Sequence, residues 1–296
     1  MKGMAAIGMV AIHPFFYFGH ASLMTLLIDI VIFPVFIFCY SVVLFKAQTF
    51  GKFLYRTFEM LVFAICLETI VYLISGHHFE NVLFYFAVIS IVVPVSWFIG
   101  SKIGWDNLLI VLVCIVFAAE FMVENYDLYE WKTRISYLPS CVSGMIFVIM
   151  KKFVENDDER ITLSFVLSLW IALTSFIIME ETIPAMLVVV SCLPLALYWI
   201  VNDMDDNIPA RKTITMIGRH VLSIYFVNSM LIAWIGSKDT FHTFNFVAFF
   251  VNNKALHDLL ILSPICFVPV LIMEFLPKFN LYKREQDVFM KIMNQK

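Results

Sequence analysis

The most regular feature of the chain is a succession of long apolar runs separated by short polar stretches. Ten such runs cover approximately residues 4–18, 21–45, 57–75, 81–99, 105–123, 136–150, 161–179, 183–201, 217–236 and 258–277. A helix that crosses about 30 Å of hydrocarbon needs roughly 20 apolar residues, and fewer or more when it is tilted. The pattern therefore predicts an all-α fold with about ten transmembrane helices. We expect one membrane domain over residues 1–277, followed by a basic tail over residues 278–296.

The distribution of Lys and Arg predicts the orientation of these helices. If the N-terminus is cytoplasmic, 16 of the 20 basic residues fall on the cytoplasmic side. Only Lys132, Arg134, Lys238 and Lys254 then lie outside. Because cytoplasmic loops of membrane proteins carry an excess of Lys and Arg, we expect both termini to be cytoplasmic.

Composition supports a membrane protein and excludes a soluble domain and a nucleic-acid-binding protein. The 296 residues are 61% hydrophobic and 15% charged, with a mean hydropathy of +0.89, whereas soluble domains are about 45–50% apolar and about 25% charged. A net charge of -3 provides no basic field for nucleic acid. The six cysteines lie singly, without CxxC spacing, so neither a zinc site nor a disulfide framework is indicated.

The first apolar run also has an alternative interpretation. A short Met1-Lys2 start, an apolar stretch and the small residues of Gly19-His20-Ala21 are typical of a signal peptide. Cleavage would remove His13 and leave nine helices with the same charge pattern. An N-terminal sequence of the purified protein distinguishes the two cases.

His13 is the first candidate for chemistry. An ionisable side chain at membrane depth costs at least ~2.5–3.5 kcal/mol on insertion scales for Asp or Lys and is therefore a functional candidate by default. Eleven residues after Lys2, His13 is expected roughly 17 Å from the cytoplasmic face. Pro14 cannot donate a helical hydrogen bond, so the backbone there can face a cavity. The alternative is a structural histidine bonded to a neighbouring helix.

Further ionisable residues occur in the second and third runs. His20 is expected at the outer surface, and Asp29 about 12 Å down the second helix from that surface. A histidine held by a carboxylate is the usual general base, whereas Asp29 could instead bond a Ser, Thr or Tyr. In the third run, we expect Glu59 to pair with Arg56 and Glu68 to face the interior.

Two N-terminal patterns resemble known families. Lys2 and His13, with ten residues between them, resemble the first-helix pattern of the acyltransferase 3 family, and the F-pilin acetylase family looks similar over this stretch. His20-Ala21-Ser22, Asp29 and Phe33-Pro34-Val35-Phe36 resemble a segment of heparan-alpha-glucosaminide N-acetyltransferase and its relatives. These families form one superfamily of transmembrane acyltransferases.

A late segment is similar to the same superfamily. Gly218-Arg219 followed by Ser223-Ile224-Tyr225-Phe226 resembles the signature near its C-terminal end. The chain departs from the acyltransferase 3 pattern at Asn228, where that family has a histidine, and in having Lys2 rather than the commoner Arg. Asp29 is one residue out of register. The resemblance covers residues 2–36 and 217–230, and the rest of the chain matches by hydropathy alone.

The resemblance implies an enzyme with ten or eleven helices in a bacterial cytoplasmic membrane. Its donor would be a cytoplasmic acyl-CoA, typically acetyl-CoA, and its acceptor a hydroxyl or amine of a carbohydrate or cell-envelope component. His13 would act as general base or carry the acyl group, with His20 and Asp29 completing the outer half of the site. No metal is implied, and a homo-oligomer is left open.

The donor phosphates would require cations at the inner face. The candidates come from the stretch between the second and third runs and from the stretch before the ninth. They are Lys46, Lys52, Arg56, Arg211, Lys212 and Arg219. The alternative is that these residues set the membrane topology only.

Two other function classes remain. A ten-helix secondary transporter fits the same length, but such folds commonly show two related halves, and the first five runs do not repeat in the last five. His13, His20, Asp29 and Glu68 all fall in the first half, which favours the enzyme. A non-catalytic membrane partner or polymer-export subunit would be distinguished by its failure to bind acyl-CoA.

Overall fold

A computed structural model describes residues 1–18, 31–46, 50–76, 83–125, 137–178, 184–202, 209–236 and 261–275. These residues are helical almost throughout, and none of them forms a strand. The predicted all-α fold class is confirmed.

Each of the ten predicted apolar runs contains a described helix. The helices are α1 (Lys2–Phe18), α2 (Phe33–Lys46), α3 (Phe50–Ser75), α4 (Leu83–Ile103), α5 (Trp105–Asn125), α6 (Leu138–Met150), α7 (Asp157–Ile178), α8 (Pro184–Asn202), α9 (Pro209–Arg219), α10 (Val221–Gly236) and, after a 3-10 turn at Ser263–Phe267, α11 (Val268–Phe275). The proposed tail, residues 278–296, lies outside the described residues.

Helix α9 was not predicted. The sequence placed a polar connection over residues 202–212, whereas Pro209–Arg219 is helical. Its proline stands at the start, where a missing N–H costs nothing, and its apolar residues Ile214 and Ile217 are one turn apart, on one side of the helix. A hydropathy window averages this side with the polar one, which is why the prediction was wrong here.

The number of membrane spans does not follow from the number of helices. Within the described residues, Phe53–Ser75 and Tyr85–Ile103 are long and apolar enough to cross a membrane, and α9 with α10 forms a third candidate if this bent pair is one span. Six shorter apolar helices fall below that length. The structure thus supports membrane association, and ten spans remain a prediction.

The surface of the long helices is apolar. Leu73 on α3, Phe98 on α4 and Ile110 on α5 are exposed by 77%, 60% and 63%. The interior, in contrast, contains many serines. Those buried are Ser41, Ser90, Ser96, Ser140, Ser143, Ser164, Ser168, Ser191 and Ser229. Exposed apolar area costs roughly 25 cal/mol per Å² in water and nothing comparable in lipid, so this distribution favours a lipid-facing surface.

The chain forms two compact units. In the first, which contains α2, the start of α3, most of α4 and all of α5 to α8, helix α6 is the centre and packs against α2, α5, α7 and α8. Eleven of its 13 residues are buried. Phe147 of α6 lies 4.7 Å from the Tyr198 ring and 6.0 Å from the Phe38 ring, centroid to centroid. The Arg160 guanidinium covers the Phe147 ring at 4.8 Å and pairs with Asp157 at 2.8 Å.

Small residues allow α2 and α6 to approach closely. A Cβ at Gly144 would lie 2.8 Å from the Phe38 carbonyl oxygen and 3.0 Å from Ser41 Cβ. Beside this crossing the Ser41 hydroxyl lies 2.8 Å from the Ile37 carbonyl oxygen and 3.2 Å from Cys141 Sγ. Packing of this kind is how helices associate where water supplies no hydrophobic drive.

The second unit contains α1, most of α3, the start of α4, and α9 to α11. Helix α1 packs against α9 and α10, and the 3-10 turn and α11 pack against α10. Helix α1, which carries Lys2 and His13, is therefore a neighbour of α9 and α10, which carry the late segment, in one unit.

We predict that Gly144→Ala destabilises the protein by about 1–3 kcal/mol, because the new methyl group meets the backbone of Phe38 and forces α2 away from α6. Gly100→Ala is the matched control, since its methyl group meets only the ends of the Leu108 and Trp105 side chains, which can shift. Unfolding of both variants in detergent micelles measures the difference. Equal losses in the two variants would contradict the tight crossing.

Candidate functional site

The first motif lies on one helix. Lys2 and His13 both belong to α1, which continues through Pro14 to Phe18. Ala6, Met9 and Val10 are buried, and His13 follows Met9 by four residues and Val10 by three. The side chain of His13 and the whole of His20 and Asp29 lie outside the described residues, so the proposed catalytic group stays a prediction.

The late segment contacts the start of α1, the helix that carries Lys2 and His13. A Cβ at Gly3 would overlap the carbonyl oxygen of Ile214, and a Cβ at Gly218 would lie 3.0 Å from the Gly3 nitrogen and 3.4 Å from Lys2 Cβ. Only residues without a side chain permit two backbones to come this close. The signature glycine of the late segment thus contacts the start of the helix that carries Lys2 and His13.

The chain bends sharply between α9 and α10. The two helix axes differ by 71°, and His220 stands at the break. Its N–H donates to the Ile217 carbonyl oxygen at 3.1 Å, and its own carbonyl accepts from the Ile224 N–H at 3.1 Å. Because backbone hydrogen bonds continue on both sides, the bend changes direction without leaving these groups unbonded.

A carboxylate from α11 contacts the bend. Glu274 Oε1 lies 3.0 Å from His220 Nε2 and 3.4 Å from Arg219 Nη1. His220 is largely buried, whereas 65% of the Arg219 side chain is exposed. The Glu274 carboxylate can hold the His220 imidazole in one orientation. Its contacts also join α11 to the bend and stabilise the bend.

His220 and Glu274 were not among the site residues predicted from the sequence. The signal for His220 was weak, because the late segment resembles the superfamily signature through residues other than His220. Glu274 is an acidic residue within the apolar stretch Leu271–Leu276. An acid in such a stretch needs a partner, and this criterion could have found it.

The predicted pairing of Arg56 with Glu59 is confirmed. The Arg56 Nη1 and Glu59 Oε2 atoms are 2.9 Å apart, and the Glu59 side chain is only 3% exposed. Glu68, which was expected to face the interior, is half-buried with Oε2 shielded from solvent.

The expected position of Arg219 was wrong. The apolar run over residues 217–236 predicts Arg219 in the first turn of a helix, where free N–H groups attract anions, but Arg219 is the last residue of α9. The end of a helix carries the negative end of its dipole, which favours a cation. Arg219 is therefore stabilised by its own helix and by Glu274, and its environment does not add to the attraction for a phosphate. Arg56 likewise does not begin a helix, since α3 starts at Phe50.

The other predicted donor contacts separate into two groups. The side chains of Lys46 and Lys52 lie outside the described residues. Arg211 and Lys212 are on α9 with Arg219, where Arg211 is half-buried and Lys212 exposed. The structure thus places the late cations on the helix that packs against α1.

Asn228 occupies the position where the acyltransferase 3 pattern has a histidine. It is 1% exposed, and the Cys266 thiol donates to its Oδ1 at 3.8 Å. A carboxamide can hydrogen-bond but does not take up a proton near neutral pH. Any proton transfer in the site must therefore use a different residue.

Within the part of the chain that the structure describes, no three His, Cys, Asp or Glu side chains are close enough to hold a metal ion. Comparison of the chain with protein-family models, curated proteins and solved structures returns no match. The acyltransferase resemblance accordingly depends on the two motif-bearing segments alone.

We predict that Glu274→Gln loosens the bend, because the substitution keeps the shape of the side chain and removes its charge. A partly exposed ion pair contributes on the order of 1 kcal/mol or less, so we expect faster amide hydrogen exchange at residues 220–224 with the fold retained. Asp157→Asn is the matched control: it removes the partner of Arg160 in the first unit and should leave exchange at the bend unchanged. Unaltered exchange at residues 220–224 in Glu274→Gln would show that the ion pair does not hold the bend.

Proposed function

We propose that this protein is an integral membrane acyltransferase that moves an acyl group, typically acetyl, from cytoplasmic acyl-CoA to a hydroxyl or amine acceptor. The observation that supports the proposal is the contact between the two motif-bearing segments, which are separated by more than half of the chain. Gly3 and Gly218 bring α1 and α9 into backbone contact. A resemblance due to hydropathy alone gives no reason for these segments to meet.

The proposal includes a multi-pass arrangement in the cytoplasmic membrane of a bacterium. Besides the apolar surface, an aromatic cluster in the first unit supports it. Trp105 lies 6.3 Å from Trp97 and 6.0 Å from Phe45, ring to ring, and the Lys152 amine lies 5.6 Å from the Trp105 ring. Trp residues gather at membrane–water interfaces, and this cluster falls at the predicted cytoplasmic face.

In the proposed reaction the acceptor oxygen or nitrogen attacks the carbonyl carbon of the thioester. His13 takes the proton of the acceptor, the new bond to carbon forms, and the carbon–sulfur bond breaks so that CoA leaves as a thiolate, which regains the proton. His20 and Asp29 would complete the site on the outer side. Acceptors in the cell envelope, such as a carbohydrate, could then be reached without moving CoA across the bilayer.

Lys2 is our preferred contact for the donor phosphates. Arg219 ends α9 and Arg56 lies within α3, so neither has the free N–H groups of a helix start beside it. Lys2 begins α1, where the positive end of the helix dipole adds to its charge.

We predict that His13→Ala abolishes acyl transfer and leaves the helical fold intact, because the general base is lost. Transfer of radiolabel from acetyl-CoA to envelope fractions measures turnover without interference from the exposed thiols of Cys66 and Cys114. Retained turnover would falsify the role of His13 and make His20→Ala the next variant to test. Activity in both variants would contradict the resemblance itself.

We predict that Lys2→Gln weakens acyl-CoA binding by about 1.5–3 kcal/mol if a charged hydrogen bond is lost, and that the loss shrinks in high salt. Calorimetry of the protein in detergent measures the affinity. Lys102→Gln is the control, because it removes the same charge from an exposed position in the first unit. No binding by the wild type at millimolar acyl-CoA would overturn the acyltransferase proposal, whereas unchanged affinity in Lys2→Gln would overturn only the placement of the donor.

A secondary transporter is the alternative, and the bend between α9 and α10 favours it, because transporters commonly bind solutes at broken helices. Uptake of a small metabolite into proteoliposomes, with no binding of acyl-CoA by the same preparation, would support this alternative.

A further inference from the structure

The interior of the first unit contains an apolar cluster to which four helices contribute. Phe38 of α2, Phe147 of α6, Ile161 of α7 and Leu195 of α8 are all buried in it. These residues show which side of each helix faces the centre of the unit. Other residues on the same sides are therefore expected in the interior.

Serines occupy the same sides of three of these helices. Ser143 precedes the cluster residue of α6 by four positions, Ser191 precedes that of α8 by four, and Ser168 follows that of α7 by seven. With about 3.6 residues per turn, spacings of four and seven keep two side chains on one side of a helix. Burial agrees with this placement, because all three serines are at most 1% exposed.

The three serines lie on the same flank of the cluster. Helices α6, α7 and α8 all pack against one another, and they are joined by short connections over residues 151–156 and residues 179–183. Short connections make neighbouring helices antiparallel, so moving back along α6 and α8 and forward along α7 leads in one direction. At 1.5 Å per residue, Ser143 and Ser191 lie about 6 Å from the cluster and Ser168 about 10 Å. They therefore form one layer, the serine layer, within about one helical turn.

The hydroxyl groups of the serine layer have no hydrogen-bond partner within the part of the chain that the structure describes. Two other buried serines of the unit differ in this respect. The Ser41 hydroxyl donates to the Ile37 carbonyl oxygen at 2.8 Å, and the Ser164 hydroxyl donates to the Arg160 carbonyl oxygen at 2.7 Å. A buried hydroxyl without a partner costs free energy. Three such groups in one layer therefore point to a ligand between α6, α7 and α8.

We infer that the serine layer binds internal water, which bridges α6, α7 and α8 through the hydroxyls of Ser143, Ser168 and Ser191. Water both donates and accepts hydrogen bonds, as a hydroxyl does, and an internal water makes about three bonds to otherwise unpaired buried groups. The three hydroxyls match this requirement, and they carry no charge that would suit an ion. This site is independent of acyl transfer.

Unfolding of the full chain in mixed detergent micelles tests the inference through Ser168→Ala and Ser191→Ala. If water bonds these hydroxyls, we expect each variant to raise the equilibrium constant for unfolding about fivefold, which corresponds to the loss of one neutral hydrogen bond. An unchanged or smaller constant would overturn the inference, because removal of a partnerless buried hydroxyl relieves a cost. Ser164→Ala is the matched control, since its hydroxyl bonds to its own helix and little change is expected.

A double variant tests whether the water is shared between helices. Ser168→Ala with Ser191→Ala should raise the unfolding constant by less than the product of the two single effects, because groups in one hydrogen-bond network are coupled. An effect equal to that product would show that the two hydroxyls act separately, and it would overturn the bridge.

Radiolytic footprinting measures the water itself. X-rays convert bound water to hydroxyl radicals, which oxidise adjacent side chains, and the reporter is Cys192, a buried residue next to Ser191. We expect oxidation of Cys192 in the wild type and less in the double variant, or in either single variant if the double variant is unstable. Cys266, buried in the second unit, should react equally in all of them. No oxidation of Cys192 in the wild type, or equal oxidation in the variants, would overturn the inference.

Discussion

The backbone contact between the start of α1 and the last turn of α9 is the constraint on which the second unit depends. Gly3 lies against the Ile214 carbonyl, and Gly218 lies against Gly3. A side chain at either position would separate the helices by the width of a methyl group or more. Separation would remove the contact between the motif-bearing segments and release the side of α9 that faces α1. The proposed donor site at Lys2 requires this distance.

In the first unit, several small residues allow the helices to pack closely. Gly144 admits the Phe38 carbonyl, and buried serines stand among the apolar residues of the interior. A serine in a helix can return its hydroxyl to the carbonyl one turn earlier, as Ser164 does to Arg160 at 2.7 Å. Its polar group is then satisfied without a partner on another helix, so a serine can serve as a small packing residue.

Sequence patterns were most informative where one physical quantity decides the outcome. Continuous apolar runs predicted the helices, because burial and lipid exposure both favour them, and the spacing of Arg56 and Glu59 predicted their ion pair. Helix α9 was missed because its two sides cancel in a hydropathy average. The position predicted for Arg219 was wrong for the same reason, because Arg219 ends the helix that was missed. The pairing of His220 with Glu274 joins residues 54 positions apart, and no local pattern encodes such a contact. The number of spans depends on lipid thickness and tilt, which apolar length does not fix.

The burial of α6 has a consequence for the biogenesis of the protein. If the chain enters a bilayer in order of synthesis, α6 emerges after α2 and α5 but before α7 and α8, which cover the rest of its surface. Until those two helices arrive, the Phe147 ring lacks the Arg160 and Tyr198 side chains that pack against it. Helix α6 is then the segment for which an insertase or chaperone would have the most effect, because its partners have not yet been made.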